Sequence, residues 1–144
     1  MSEHEDPEDW RARRRAAADA HAEALAKRQA SESAQARELL RDFVARARAR
    51  GLRPEPLLVQ GYGGKGTARS QVRGWYLRLD RAVGVGEDGE FYVLTAPLTI
   101  VDRIRGVRLS PTEPPLVIGQ GGRDGDTIDM VQAINRILPT DEPS

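Results

Sequence analysis

The stretch Val72–Thr95, VRGWYLRLDRAVGVGEDGEFYVLT, holds four of the chain's seven aromatic residues and limits what the rest can build. Alternation through Arg73–Leu79 places Trp75, Leu77 and Leu79 on one face of a strand. A hairpin follows at Glu87-Asp88-Gly89, with two possible registers. A two-residue Asp88-Gly89 loop would set Glu87 opposite Glu90, a repulsive pair. A three-residue loop with Gly89 in the left-handed conformation avoids that pair. It also matches Val85 with Phe91 and Val83 with Val93, so it is preferred. An antiparallel sheet with one apolar face results, and that face needs a cover.

The cover is sought in the helices. Asp6 reads as an N-cap, with Pro7, Glu8 and Asp9 in the first turn. The Ala- and Arg-rich run through residue 30 has only Trp10 and Leu25 as large apolar residues, so it reads as a projecting, solvated arm. Ser31-Glu32-Ser33 offers a second cap and a place for a break or bend, so residues 7–50 read as one helix or two. Beyond it, Ala36, Leu39, Leu40, Phe43, Val44 and Ala47 recur with helical spacing, and Gly51 ends the pattern. Arg46, Arg48, Arg50 and Arg53 cluster at that end, where cations suit the helix dipole.

Pro54 and Pro56 lead into a first strand at Leu57-Leu58-Val59, and Gly61–Thr67 forms a flexible glycine-rich loop. After Pro97, Leu98–Ile104 reads as a short helix or an edge strand, since periodicity over seven residues does not separate the two. Leu116-Val117-Ile118 reads as a buried strand. A last helix is expected with Asp126 as N-cap and Asp129 three residues on, burying Ile128, Val131, Ile134 and Leu138 before Pro139. The expected architecture is α+β: an antiparallel sheet of four to six strands in two layers with a long N-terminal helix and a C-terminal helix. The organisation expected is an arm at 1–30, a core at 31–139 and a loose tail at 140–144.

Composition narrows the function classes. With 22 basic and 22 acidic side chains the net charge is zero, so the basic excess usual in nucleic-acid and anionic-membrane binders is missing. There is no cysteine, hence no disulfide, thiolate metal site or cysteine nucleophile. No apolar run approaches the roughly 18 residues of a membrane span, and the acidic N-terminus does not resemble a signal peptide; a cytoplasmic location is expected. Arg greatly outnumbers Lys, of which there are only Lys27 and Lys65, a bias that points to a GC-rich bacterial genome and lowers the weight of each arginine.

Two glycine-rich loops invite a phosphate reading. Gly61–Thr67 fails as a P-loop: position 59 is Val59, Gly66 follows Lys65, and no helix pattern comes next. The loop 119–125 has better context, between a strand and a helix start. There Gly121 and Gly122 would offer backbone N–H groups and Arg123 a charged contact. The dinucleotide fingerprint fails at Asp124, and Asp124 and Asp126 oppose an anion. Asp124, Asp126 and Asp129 lack the spacing of a calcium loop. His4 and His21 stand apart in the arm, and no catalytic constellation is present, although Asp80, Glu90, Lys65 and Arg78 are available to assemble in space. Arg11, Arg13, Arg14 and Arg15 spread around a helix axis instead of making one stripe. Tyr76, opposite Trp75 in the alternation, is the aromatic expected to form an exposed contact.

The expectation drawn from these residues is a non-enzymatic binding or adaptor module, self-associating through the N-terminal helix, with a protein partner and no cofactor or metal. The alternative is a domain binding a small anion or phosphorylated ligand, or an enzyme, using loops 61–67 and 119–125, with Lys65 and Arg123 converging. A weak nucleic-acid association through the arginines ranks third.

Overall fold

The computed structural model describes residues 6–118 and 128–139. They form an α+β structure in the order α1 (Pro7–Ala49), β1 (Glu55–Gly61), a 3-10 turn (Tyr62–Gly64), β2 (Thr67–Tyr76), β3 (Val83–Gly86), β4 (Phe91–Val93), β5 (Thr95–Ala96), α2 (Ile100–Arg105), β6 (Val117–Ile118), β7 (Ile128–Asp129) and α3 (Met130–Ile137). The chain divides into two compact units, Met1–Glu32 and Ser33–Ser144.

In the first unit the backbone carbonyl of Asp6 accepts from Trp10 N–H, and its side chain accepts from Glu8 N–H, which opens α1 as an N-cap does. Every described residue from Asp6 to Glu32 is exposed. Of the two readings, one helix or two, the structure has one: α1 continues without a break through Ser31-Glu32-Ser33. Serine costs a helix interior only a few tenths of a kcal/mol (about 0.5) relative to Ala, and the flanking Ala30, Ala34 and Gln35 favour continuation.

In the second unit the apolar stripe of α1 buries Ala36, Leu40, Phe43, Val44 and Ala47. The helix closes at Gly51, whose φ is 72°; Leu52 N–H donates to Ala47 O and Gly51 N–H to Arg48 O. The stripe lies on the sheet face formed by Trp75, Leu77, Val83, Val85 and Phe91, with Met130, Ala133, Ile134 and Leu138 from the α3 region completing the cluster. Phe43 meets Trp75 edge to face at 5.6 Å between ring centroids.

The hairpin adopts the three-residue loop: Val83 pairs with Val93, Gly84 with Tyr92 and Val85 with Phe91, and Gly89 has φ 80°. Leu79, however, is 84% exposed. Strand β2 ends at Tyr76, and the chain turns through Arg78–Arg81, so the alternation stops before Leu79.

The five-stranded sheet is mixed, not purely antiparallel. Its order is β4-β3-β2-β1-β5, and β5 runs parallel to β1. The two ends of that order are one stretch of chain, separated only by Leu94. Leu94 N–H donates to Ala82 O at 2.8 Å, and Leu94 O accepts from Gln60 N–H at 2.8 Å, so the sheet closes on itself. Closure creates a second apolar cluster of Leu57, Val72, Tyr92 and Leu94, with Tyr76 and Leu109 against it. The alternation Val83-Gly84-Val85-Gly86 suits this arrangement: the valines face the helices. A Cβ at Gly84 would stand 3.1 Å from both Leu57 and Leu94 side-chain carbons.

The C-terminal helix starts later than expected. Asp129 is its N-cap, in a reciprocal capping box with Gln132. The buried set becomes Met130, Ala133, Ile134 and Leu138, and Val131 is turned outward. Ile128 belongs to β7, which pairs with β6; Ile118 is buried in β6 and Val117 exposed. Asp126 and residues 140–144 lie outside the described residues. No described helix is long and apolar enough to cross a membrane.

Candidate functional site

Pro97 ends the sheet, and Thr99 then caps α2: its hydroxyl accepts from Asp102 N–H, and the Asp102 carboxylate accepts from Thr99 N–H. Gly106, at φ 90°, ends the helix against the backbone of Arg69, where a Cβ would come within 2.9 Å of the Arg69 carbonyl oxygen. That approach lets Val107 N–H donate to Arg69 O at 2.8 Å. Two residues on, the Gln71 amide grips Leu109 from both sides: Leu109 N–H donates to Oε1 at 2.8 Å, and Nε2 donates to Leu109 O at 2.6 Å.

Helix α2 is therefore capped at its N-terminus and held at its C-terminal end against β2, yet none of its residues is buried. Ile100, Val101 and Ile104 are 72%, 57% and 68% exposed. Ile100 and Ile104 stand one turn apart with Val101 beside them, so the three make one continuous aliphatic stripe. Isolated exposed aliphatics are ordinary; three on a two-turn helix that buries nothing are a patch.

Cations frame this stripe. Arg103 lies over Gly66, where a Cβ would be 2.9 Å from Nε, and Lys65 precedes that glycine. Arg69 donates to Ile104 O at 3.3 Å, and Arg105 and Arg108 are exposed. Among the described residues none of Lys65, Arg69, Arg103, Arg105 and Arg108 has a carboxylate partner. The acid within α2, Asp102, is engaged in the cap.

The residues singled out in the sequence fall elsewhere or join this surface in part. Lys65 sits in the β1–β2 connection, which is an ordered turn: Gly61 N–H donates to Gly66 O, and Gly63, Gly64 and Gly66 all have positive φ. Gly121, Gly122 and Arg123 lie outside the described residues, and so does the expected meeting of Lys65 with Arg123. Tyr76, expected as an exposed contact, is half-buried. The β1–β2 register slips between Pro56 and Leu58, and the Tyr76 hydroxyl accepts the Leu58 N–H there at 2.9 Å. Arg81 covers its ring at 5.1 Å. Arg78 and Asp80 do come together, as an ion pair at 3.2 Å.

Two grooves lie elsewhere in this unit. One, of about 740 Å³, runs beside Gly61–Gly64 over Val83, Phe91 and Ile118; its cation, Arg78, is the one held by Asp80. The other, of about 800 Å³, is lined by Leu39, Leu116, Val117 and Val131, with Gln35, Glu38, Asp42 and Asp129 around it and no cation among the described residues of its lining. Among the described residues there is no cluster of three or more His, Asp or Glu placed to hold a metal ion.

Sequence reasoning missed α2 as a surface because its seven-residue window was ambiguous between helix and strand. The signal for the helix itself was present in Thr99-x-x-Asp102, a capping pattern before Ile104. Comparisons with protein-family models, with curated proteins and with solved structures gave no match.

Proposed function

We propose that the protein is a non-enzymatic binding module whose docking surface is the exposed face of α2, and that its partner is a polypeptide bearing acidic and aliphatic side chains. The observation that carries this reading is the juxtaposition of Ile100, Val101 and Ile104 with five cations that have no carboxylate partner among the described residues. Full burial of an aliphatic side chain is worth about 1.5–3 kcal/mol. Three such side chains give at most about 4.5–9 kcal/mol against the roughly 4–15 kcal/mol lost on association, a narrow margin to which the rim charges add on-rate and register. A bilayer is the poorer partner, because a six-residue helix offers little apolar area to insert. Nucleic acid is poorer still, since the centre of the patch is aliphatic and offers no stacking ring. The N-terminal arm contributes less to this reading: Trp10 and Leu25 are about 22 Å apart along the helix axis. The cysteine-free composition suits a reducing compartment such as the cytoplasm.

The test uses a labelled helical peptide of Glu and Leu residues, read by fluorescence anisotropy. Wild-type protein should bind it at low salt, and Ile100→Ser with Ile104→Ser should weaken binding at least tenfold. Arg105→Glu with Arg108→Glu should remove the salt dependence. Unchanged binding by both variants overturns the proposal. Tighter binding to anionic vesicles or to duplex DNA than to the peptide reassigns the surface.

A further inference from the structure

The groove between α1 and β6 is the complement of the α2 face in three respects. It is concave where α2 is a projecting helix. Leu39, Leu116, Val117 and Val131 give it an apolar floor, as Ile100, Val101 and Ile104 give α2 an apolar crest. Among the described residues its rim carries Glu38, Asp42 and Asp129 and no cation, whereas the margin of α2 carries cations with no carboxylate partner among those residues. Asp42 shares its charge with Arg46 at 3.0 Å, and Asp129 caps α3, so among the described residues of the rim Glu38 is the carboxylate left to answer an incoming arginine.

We infer that the polypeptide which docks on α2 is a second copy of this chain, presenting its Leu39–Val131 groove. The inference rests on the reading of α2 as a docking surface and names its occupant. Ile100 and Ile104 of one copy enter the groove of the next, and Arg105 or Arg108 meets Glu38. Both surfaces belong to the same unit, and each is exposed in the single chain, so neither covers the other. The contact joins two different patches and is heterologous, so wild-type copies can add to one another beyond a pair unless the geometry closes. Zero net charge favours such association, because no overall repulsion opposes it.

Sedimentation equilibrium on the full chain tests the inference. Wild type should gain mass with concentration, and molar salt should weaken the association at least tenfold. Ile100→Ser with Ile104→Ser removes the crest; Glu38→Lys with Val131→Lys spoils the groove. All four positions are exposed or on the groove rim, and circular dichroism melting should show both variants folded. Each variant alone should remain monomeric. Mixed, they retain one intact crest and one intact groove, and should form a dimer and nothing larger. Wild type that stays monomeric at every concentration and salt overturns the inference, while peptide binding at α2 would still stand. Self-association that survives the groove variant, or a mixture that stays monomeric, also overturns it.

Discussion

The hydroxyl of Tyr92 donates to Oδ2 of Asp88 at 2.7 Å, while Oδ1 of the same carboxylate accepts the N–H of Glu90 at 2.9 Å. One aspartate thus shapes the β3–β4 turn and anchors a ring inside the closed sheet. Burial, then the hydrogen bond and charge of Asp88, push the Tyr92 phenol from 10.0 up to about 12. The folded state holds the proton more tightly than the unfolded state. The stabilisation is therefore complete below about pH 10 and is lost as pH rises from there through 12. Ultraviolet titration should show one tyrosine ionising near the upper end of that window, and Asp88→Ala should bring its midpoint down.

Phe43 is fully buried and meets Trp75 edge to face. Phe43→Ala should cost about 3–5 kcal/mol in chemical denaturation, with Trp75 fluorescence following the same transition. An unchanged midpoint would show that α1 does not share the core with the sheet.

Two glycines separate crowding from conformation. A Cβ at Gly74 would run into the carbonyl of Val85 across the β2–β3 pair, so Gly74→Ala should prevent the hairpin from seating and abolish the cooperative melt. Gly51 has open space but a φ of 72°, so Gly51→Ala should fold and lose only about 1 kcal/mol.

Gln71 holds the segment leaving α2 by two hydrogen bonds to Leu109. Gln71→Ala should cost about 1–3 kcal/mol. Hydrogen exchange should speed up at Val107 and Leu109 more than in α1, and α2 peptide binding should weaken as the helix loses its anchorage.

The side chains on α1 and α3 that reach the sheet also explain some of the arginine excess. Arg48 donates to Glu87 O at 2.9 Å and Arg136 to Leu77 O at 2.8 Å, tying each helix to a loop of the sheet. Such bonds to distant carbonyls leave no local pattern, so composition alone made these residues look incidental.

Local chemistry was enough for the elements whose determinants are neighbours in the chain. The stripe Ala36–Ala47, the stop at Gly51 and the three-residue hairpin loop at Gly89 follow from 3.6-residue periodicity, left-handed glycine geometry and the repulsion of Glu87 and Glu90, and the structure has all three. What the sequence did not determine depends on residues far apart. The parallel pairing of β5 with β1 exists because Leu94 bonds Ala82 on one side and Gln60 on the other, a closure with no signature in a two-residue strand. The start of α3 was expected at Asp126 and lies at Asp129, where Met130 N–H finds Leu116 O and Gln132 completes the cap. The α2 surface was beyond sequence for the same reason: whether Ile100, Val101 and Ile104 enter a core or face water depends on which side of the helix β2 and Arg69 hold, and only tertiary packing decides that.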